Sequence, residues 1–185
     1  MKKQLDIRVK DNFLNDRDFT LLKEIFFHTS TTWKPSWTIA DELEISQEDN
    51  YDDWFLAHMV YSNYEILSSA FNDIKDKLIK PIMDLEGNNF ASILRIKANF
   101  YPHTHVVNEH KPHKDGKDKH RLRGALFCLN TCDGYTGFAD GTKVESVENR
   151  LILFDSLQEH FSTSTSNAQA LSLIHISEPT RRYRI

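Results

Sequence analysis

Apolar positions set the first outline of the chain. Residues 5–9 alternate and predict a short strand. Phe19, Leu21, Leu22, Ile25 and Phe26 recur at helical spacing, and Asn15 with Asp18 three residues on resembles a capping box, so a helix is expected over 16–28. Residues 33–39 and 54–61 are aromatic and β-branched and predict strands. Ile66, Leu67, Ala70, Phe71, Ile74 and Leu78 predict a second helix over 64–80, stopped by Pro81. After Gly87 the period changes from helical to two. Over 91–101, Leu94, Ile96, Ala98 and Phe100 share one face, and Ile93, Arg95, Lys97, Asn99 and Tyr101 the other. Residues 124–130 and 151–155 read as buried strands, and 137–144 as a hairpin turning at Asp140-Gly141. Helices first and short strands afterwards predict an α+β domain whose β part is a sandwich or jelly roll. No repeat, low-complexity segment or interdomain linker interrupts this plan.

Composition narrows the class. The 185 residues, 39% hydrophobic and 27% charged with twelve Phe, suit one domain with a real core. No apolar run is long enough to cross a bilayer, and the charged start Met-Lys-Lys-Gln-Leu-Asp leads into no signal stretch, so a cytoplasmic location is expected. The Cys-x-x-x-Cys spacing of Cys128 and Cys132 is a poor zinc signal, and the two read as small core or loop residues. The acidic run over 41–53 reads as a solvated loop.

The C-terminal segment stands apart. From Leu171 the string Leu-Ser-Leu-Ile-His-Ile-Ser-Glu-Pro-Thr-Arg reads, codon by codon, as the translation of a transposase sequencing adapter. Residues 171–185 are therefore expected to be an adapter-derived artefact, with one domain over 1–170. The chain carries 23 Lys+Arg against 27 Asp+Glu; without Arg181, Arg182, Arg184 and Glu178 the balance is 20 against 26. Net acidity argues against general nucleic-acid binding.

The chemistry concentrates between Tyr101 and His160. On an extended strand, His113 and Asp115 point to one face. His160 follows the apolar strand at 151–155 and so lies near a strand end. Two imidazoles and a carboxylate on one face leave the opposite coordination positions open, which suits iron(II). Spacing alone leaves two other readings: a solvated basic loop, since Lys111, Lys114, Lys117, Lys119, Arg121 and Arg123 share the region, or a phosphate-contacting patch.

A set of ordered segments goes further. Asn99-Phe100-Tyr101-Pro102, His113-Lys114-Asp115, Leu126-Phe127-Cys128-Leu129-Asn130, Asn149 through Ser156 and then His160 resemble the prolyl-4-hydroxylase-like branch of the iron(II)/2-oxoglutarate oxygenases over about 91–170. The resemblance implies a double-stranded β-helix (jelly roll) core over roughly 89–170, with supporting helices over roughly 1–88. It implies His113, Asp115 and His160 as metal ligands and catalytic residues, with Tyr101 and, more weakly, Asn99 facing the cosubstrate. The implied cofactors are Fe(II), 2-oxoglutarate and dioxygen, with ascorbate an open addition. The implied reaction hydroxylates a C–H bond, of a peptidyl proline or another peptide or small molecule, and releases succinate and carbon dioxide. Similar stand-alone domains occur in phages and bacteria, which implies a bacterial or host cytoplasm.

One feature departs from the pattern. The family holds the distal carboxylate of 2-oxoglutarate with an Arg or Lys on the strand after the second His, about where Gln169–Leu171 stand here, and no basic residue is present there. An impaired cosubstrate site is therefore expected, with His175, Arg181 and Arg182 assigned to the adapter rather than to the site. Two alternatives stay open: a cupin-like metal-binding jelly roll without oxygenase activity, and a nucleic-acid demethylase of the same chemistry.

Overall fold

The computed structural model describes residues 6–37, 54–87, 93–115 and 122–179. The expected acidic loop, the end of the second strand at residues 38–39 and the basic positions Lys117, Lys119 and Arg121 lie outside them.

Among the described residues, eleven strands, three α-helices and one π-helical turn form a two-layer β-sandwich with helices on its outer face. In chain order the elements are β1 (Arg8–Lys10), α1 (Asp16–Phe27), β2 (Lys34–Ser36), β3 (Phe55–Ser62), β4 (Glu65–Ile66), α2 (Phe71–Ile74) and α3 (Lys80–Glu86). They continue as β5 (Arg95–Pro102), β6 (Leu122–Cys128), β7 (Tyr135–Phe138), β8 (Lys143–Glu145), β9 (Leu151–Asp155), β10 (His160–Phe161) and β11 (Ala170–Pro179). The main sheet runs β1-β9-β6-β11-β5-β3-β2, with β4 paired to β3; the minor sheet is β10-β7-β8. Every strand pair in both sheets is antiparallel. This is the jelly-roll arrangement expected from the order of elements.

The alternation on β5 is what separates the two cores. Ile96 and Ala98 join Phe127, Leu129, Leu151, Leu153, Ile174 and Ile176 under the helices, where Leu22, Phe26, Ile74, Leu78 and Ile82 pack. Tyr101 faces the other way, into an inner cluster with Phe55, Leu126, Ile152, Phe154, Leu171 and Leu173, closed by Phe138 and Val144 of the minor sheet. Period two thus sends one residue set to the helices and the other to the space between the sheets. The capping prediction for α1 holds: Asn15 Oδ1 accepts from the Asp18 backbone N–H at 3.0 Å, and Asn15 Nδ2 donates to Asp18 Oδ2 at 2.7 Å.

The second helix differs from its prediction. Asn63 and Tyr64 take positive φ (50° and 70°) and turn β3 into β4, pairing Tyr61 with Ile66. Ile66 and Leu67 are therefore exposed, and the helical segment starts at Phe71. Nor does Pro81 stop it. A π-helical turn over Lys75–Ile79 widens the backbone just before the proline, and α3 continues with Pro81 in its first turn. The wide turn relieves the clash that a proline ring makes in a regular helix.

Residues 171–179, expected to belong to an adapter-derived artefact, form with Ala170 the strand β11 in the middle of the main sheet. The strand pairs with β5 from Ala170↔Pro102 to Ser177↔Arg95 and with β6 on its other edge. Its alternation allows this: Ile174 and Ile176 face the helices, while Leu171 and Leu173 face the inner cluster.

Candidate metal centre

The three expected ligands converge at the open edge between the sheets. His113 and His160 form a directly opposed antiparallel pair: His113 N–H donates to the His160 carbonyl at 2.9 Å, and His160 N–H to the His113 carbonyl at 3.0 Å. The Asp115 N–H donates to the Ser156 carbonyl at 3.1 Å, which continues the extended path. Side chains two apart then share a face, and His160 stands opposite them. The imidazole centroids are 4.6 Å apart, and one donor atom from each of the three residues lies within 4.8 Å of the others. His160 Nε2 is 3.4 Å from Asp115 Oδ2.

Both imidazoles are held by the backbone. His160 Nδ1 lies 3.0 Å from the Gln158 carbonyl, and His113 Nδ1 lies 3.4 Å from that of Lys111. A carbonyl can only accept, so the proton sits on Nδ1 and the Nε2 lone pair is left for a ligand. Phe154 meets the His160 ring edge-on at 4.7 Å, with Phe138 at 6.3 Å. Asp155 instead accepts from the Leu157 N–H, so the backbone of Gln158 is what orients the last histidine.

Electrostatics favour a cation here. Burial opposes the charge on Asp115, but His175, His160 and Arg95 outweigh it and hold the carboxyl well below the usual carboxylate range. Burial, reinforced by His160, lowers the pKa of His113 and keeps its ring neutral. Asp115 Oδ2 is buried with no hydrogen-bond partner among the described residues. A buried ionised carboxylate beside two neutral, pre-oriented imidazoles is a donor set that fits a divalent metal, and two imidazoles with one carboxylate on one face match an open iron(II) site more closely than a closed zinc site.

Tyr101 and Asn99 line the same cavity as His113 and His160, together with Phe55, Lys97, Leu173 and His175. Asn99 Nδ2 donates to the Tyr101 hydroxyl at 3.0 Å. The Tyr101 ring is stacked between Phe55 and His110, each 5.2 Å away. Burial raises the phenol pKa, so the hydroxyl keeps its proton and remains a donor. His103 and His105 contact each other edge-to-face and stand outside the three-donor group.

Two neighbours of the triad were not singled out as site residues by spacing. His175 on β11 places Nε2 3.0 Å from Asp115 Oδ2. Burial pushes its pKa down to about 4, so it stands neutral. Arg95 Nη2 lies 3.5 Å from Asp115 Oδ1. Arg95 shares the Tyr101 face of β5 in the sequence pattern, which is the signal that could have found it.

No protein-family model matches the sequence, and no curated protein matches it. Solved structures do match. A prolyl hydroxylase from Trichoplax adhaerens, in complex with a hypoxia inducible factor oxygen degradation domain peptide fragment, is 16% identical with a TM-score of 0.66, covering 94% of this chain and 83% of that one. A Pseudomonas putida prolyl-4-hydroxylase is 16% identical with a TM-score of 0.61, covering 97% and 94%. A 2OG-Fe(II) oxygenase family oxidoreductase from Burkholderia pseudomallei is 8% identical with a TM-score of 0.65, covering 95% and 88%. This chain therefore has the jelly-roll fold of the prolyl hydroxylases and of 2OG-Fe(II) oxygenases.

Proposed function

We propose that the chain is an iron(II)- and 2-oxoglutarate-dependent dioxygenase that hydroxylates a C–H bond of its substrate. The observation that carries this reading is the facial group His113, Asp115 and His160, with both Nδ1 atoms tied to carbonyls and the carboxylate ionised in a buried setting.

His113 and His160 would hold iron(II) through Nε2 and Asp115 through a carboxylate oxygen. Bound iron(II), with 2-oxoglutarate and dioxygen, supplies the power to convert R–H to R–OH while the 2-oxo acid leaves as succinate and carbon dioxide. Asp115 supplies one negative charge against the metal's two, and the neutral imidazoles add none. Opposed backbone hydrogen bonds keep the two rings in register, so little reorganisation is needed on metal entry. Phe138 and Phe154 wall one side of His160 and exclude water there. Tyr101 and Asn99 offer a protonated hydroxyl and an amide to the cosubstrate.

A peptide is the substrate class this reading favours, and a peptidyl proline leads, because the Trichoplax adhaerens structure of the same fold holds a peptide fragment. The test is succinate formation on incubation with Fe(II), 2-oxoglutarate and air. Succinate that requires both iron and the intact triad supports the proposal. A protein that binds metal at the triad yet never converts 2-oxoglutarate is a metal-binding jelly roll instead.

A further inference from the structure

The two oxygens of the Asp115 carboxylate face different neighbours. Oδ2 lies 3.4 Å from His160 Nε2 and 3.0 Å from His175 Nε2. Oδ1 lies 3.5 Å from Arg95 Nη2. One oxygen thus faces the donor atom of a fellow ligand, while the other faces a guanidinium. The contact is largely shielded from water: 3% of the Asp115 side chain and 25% of the Arg95 side chain are exposed.

Charge alone argues against a cation in this place. Imidazoles bind a metal in their neutral form, so Asp115 is the negative charge that the triad offers. Arg95 offsets that charge and repels a divalent ion directly. Geometry supplies the compensating reason. Arg95 stands on β5, paired with Ser177 of β11 on one edge and with Ser62 of β3 on the other. Asp115 lies outside the regular strands, where its N–H donates to the Ser156 carbonyl. A carboxylate on such a segment turns readily about its Cβ–Cγ bond. A planar guanidinium carried by a strand that is paired on both edges holds it at one angle.

We propose that Arg95 is a positioning residue of the metal centre: it holds Asp115 Oδ1 and so presents Oδ2 alone to the metal. This rests on the iron(II) reading given above. A carboxylate that binds through one oxygen leaves the face opposite the triad open. A carboxylate that turns and binds through both oxygens takes one of those open positions, and a chelating 2-oxo acid would then fill what is left. Arg95 thus trades some attraction for the metal against a defined number of open positions.

The experiment titrates Co(II) anaerobically into the metal-free full chain. The visible bands of Co(II) respond to the number and arrangement of its donors, and their growth gives the affinity in the same titration. Arg95→Met removes the charge and the fork and should weaken Co(II) binding about ten-fold or more, with shifted bands. Arg95→Lys keeps the charge on a similar stem and should recover part of both. Circular dichroism checks that each variant is folded; if Arg95→Met is not, Arg95→Gln, which is neutral and too short to reach Oδ1, carries the same prediction. Equal or tighter binding by the folded neutral variant overturns the assignment and leaves the metal centre standing, because Arg95 would then act by charge or not at all. Weaker binding with wild-type bands overturns it as well, since the carboxylate would then bind as before. Failure of the wild-type chain to bind Co(II) overturns the metal reading together with the inference.

Discussion

His160 is fixed through three separate contacts: its N–H and carbonyl pair with His113, its Nδ1 meets the Gln158 carbonyl, and Phe154 lies against its ring. Its place near a strand end was legible because it follows an apolar strand, and its role was implied by the family resemblance. The spacing of His113 and Asp115 placed them on one face, because a strand turns every second side chain to one side. It left a basic loop and a phosphate patch open, and the ligand reading came from the ordered segments that resemble the oxygenase family. The place of His175 was not legible, since its contact with Asp115 depends on cross-strand register, which no local pattern records. His110 carries a prediction of its own. Burial pushes its pKa from 6.5 down to about 4, so the folded protein keeps it neutral while the unfolded chain takes up a proton below pH 6.5. The unfolded state binds more protons between those values, so stability falls as pH drops through that window, by roughly 2 kcal/mol at pH 5 from this group. Denaturant midpoints at pH 7 and pH 5 measure the loss. His110→Phe retains a ring against Tyr101 and should flatten it; the same acid loss in the variant would assign the effect to other groups.

Among the elements, the minor sheet is the one whose packing bears most directly on the metal. Gly137 on β7 pairs with Phe161 on β10, and a Cβ at Gly137 would fall 2.2 Å from Phe161 Cζ. Phe161 follows His160, so Gly137→Ala must displace the Phe161 ring, and the account predicts that the strand carrying the ligand moves with it. Overpacking of this kind costs about 1–3 kcal/mol. The variant should show both a lower unfolding midpoint and weaker metal binding. A midpoint equal to wild type would mean that Phe161 simply swings aside. Elements with a consistent local signal were read well, including α1 with its Asn15 cap, β9, and the hairpin at Asp140-Gly141, where Gly141 has φ 91°. The second helix was misplaced because turn chemistry at Asn63-Tyr64 overrode the apolar spacing of Ile66 and Leu67. Its extension past Pro81 had no sequence signal, since the π-helical turn that permits it depends on backbone geometry.

At the level of the whole molecule, β11 joins the two halves of the main sheet, with β6 and β9 on one side and β5 and β3 on the other. It also separates the helix-side core from the inner cluster and lends residues to both. Removing residues from 170 onward should therefore abolish cooperative unfolding rather than lower the midpoint slightly; circular dichroism melts distinguish these outcomes, and a sharp transition in the shortened chain would show that the sheet closes without β11. The jelly roll itself was legible from the order of helices and strands, whereas the central place of the last strand was not, because the segment was set aside on grounds of its origin.

The most direct test of the metal centre is anaerobic titration of Fe(II) into the wild-type chain and into His113→Ala, Asp115→Asn and His160→Ala, each checked for folding by circular dichroism. One ion should bind per wild-type chain, and each folded variant should lose about a hundred-fold or more in affinity. Fe(II) binding of wild-type strength in any of the three would remove that residue from the site, and the same result in all three would leave no metal centre at this edge of the jelly roll.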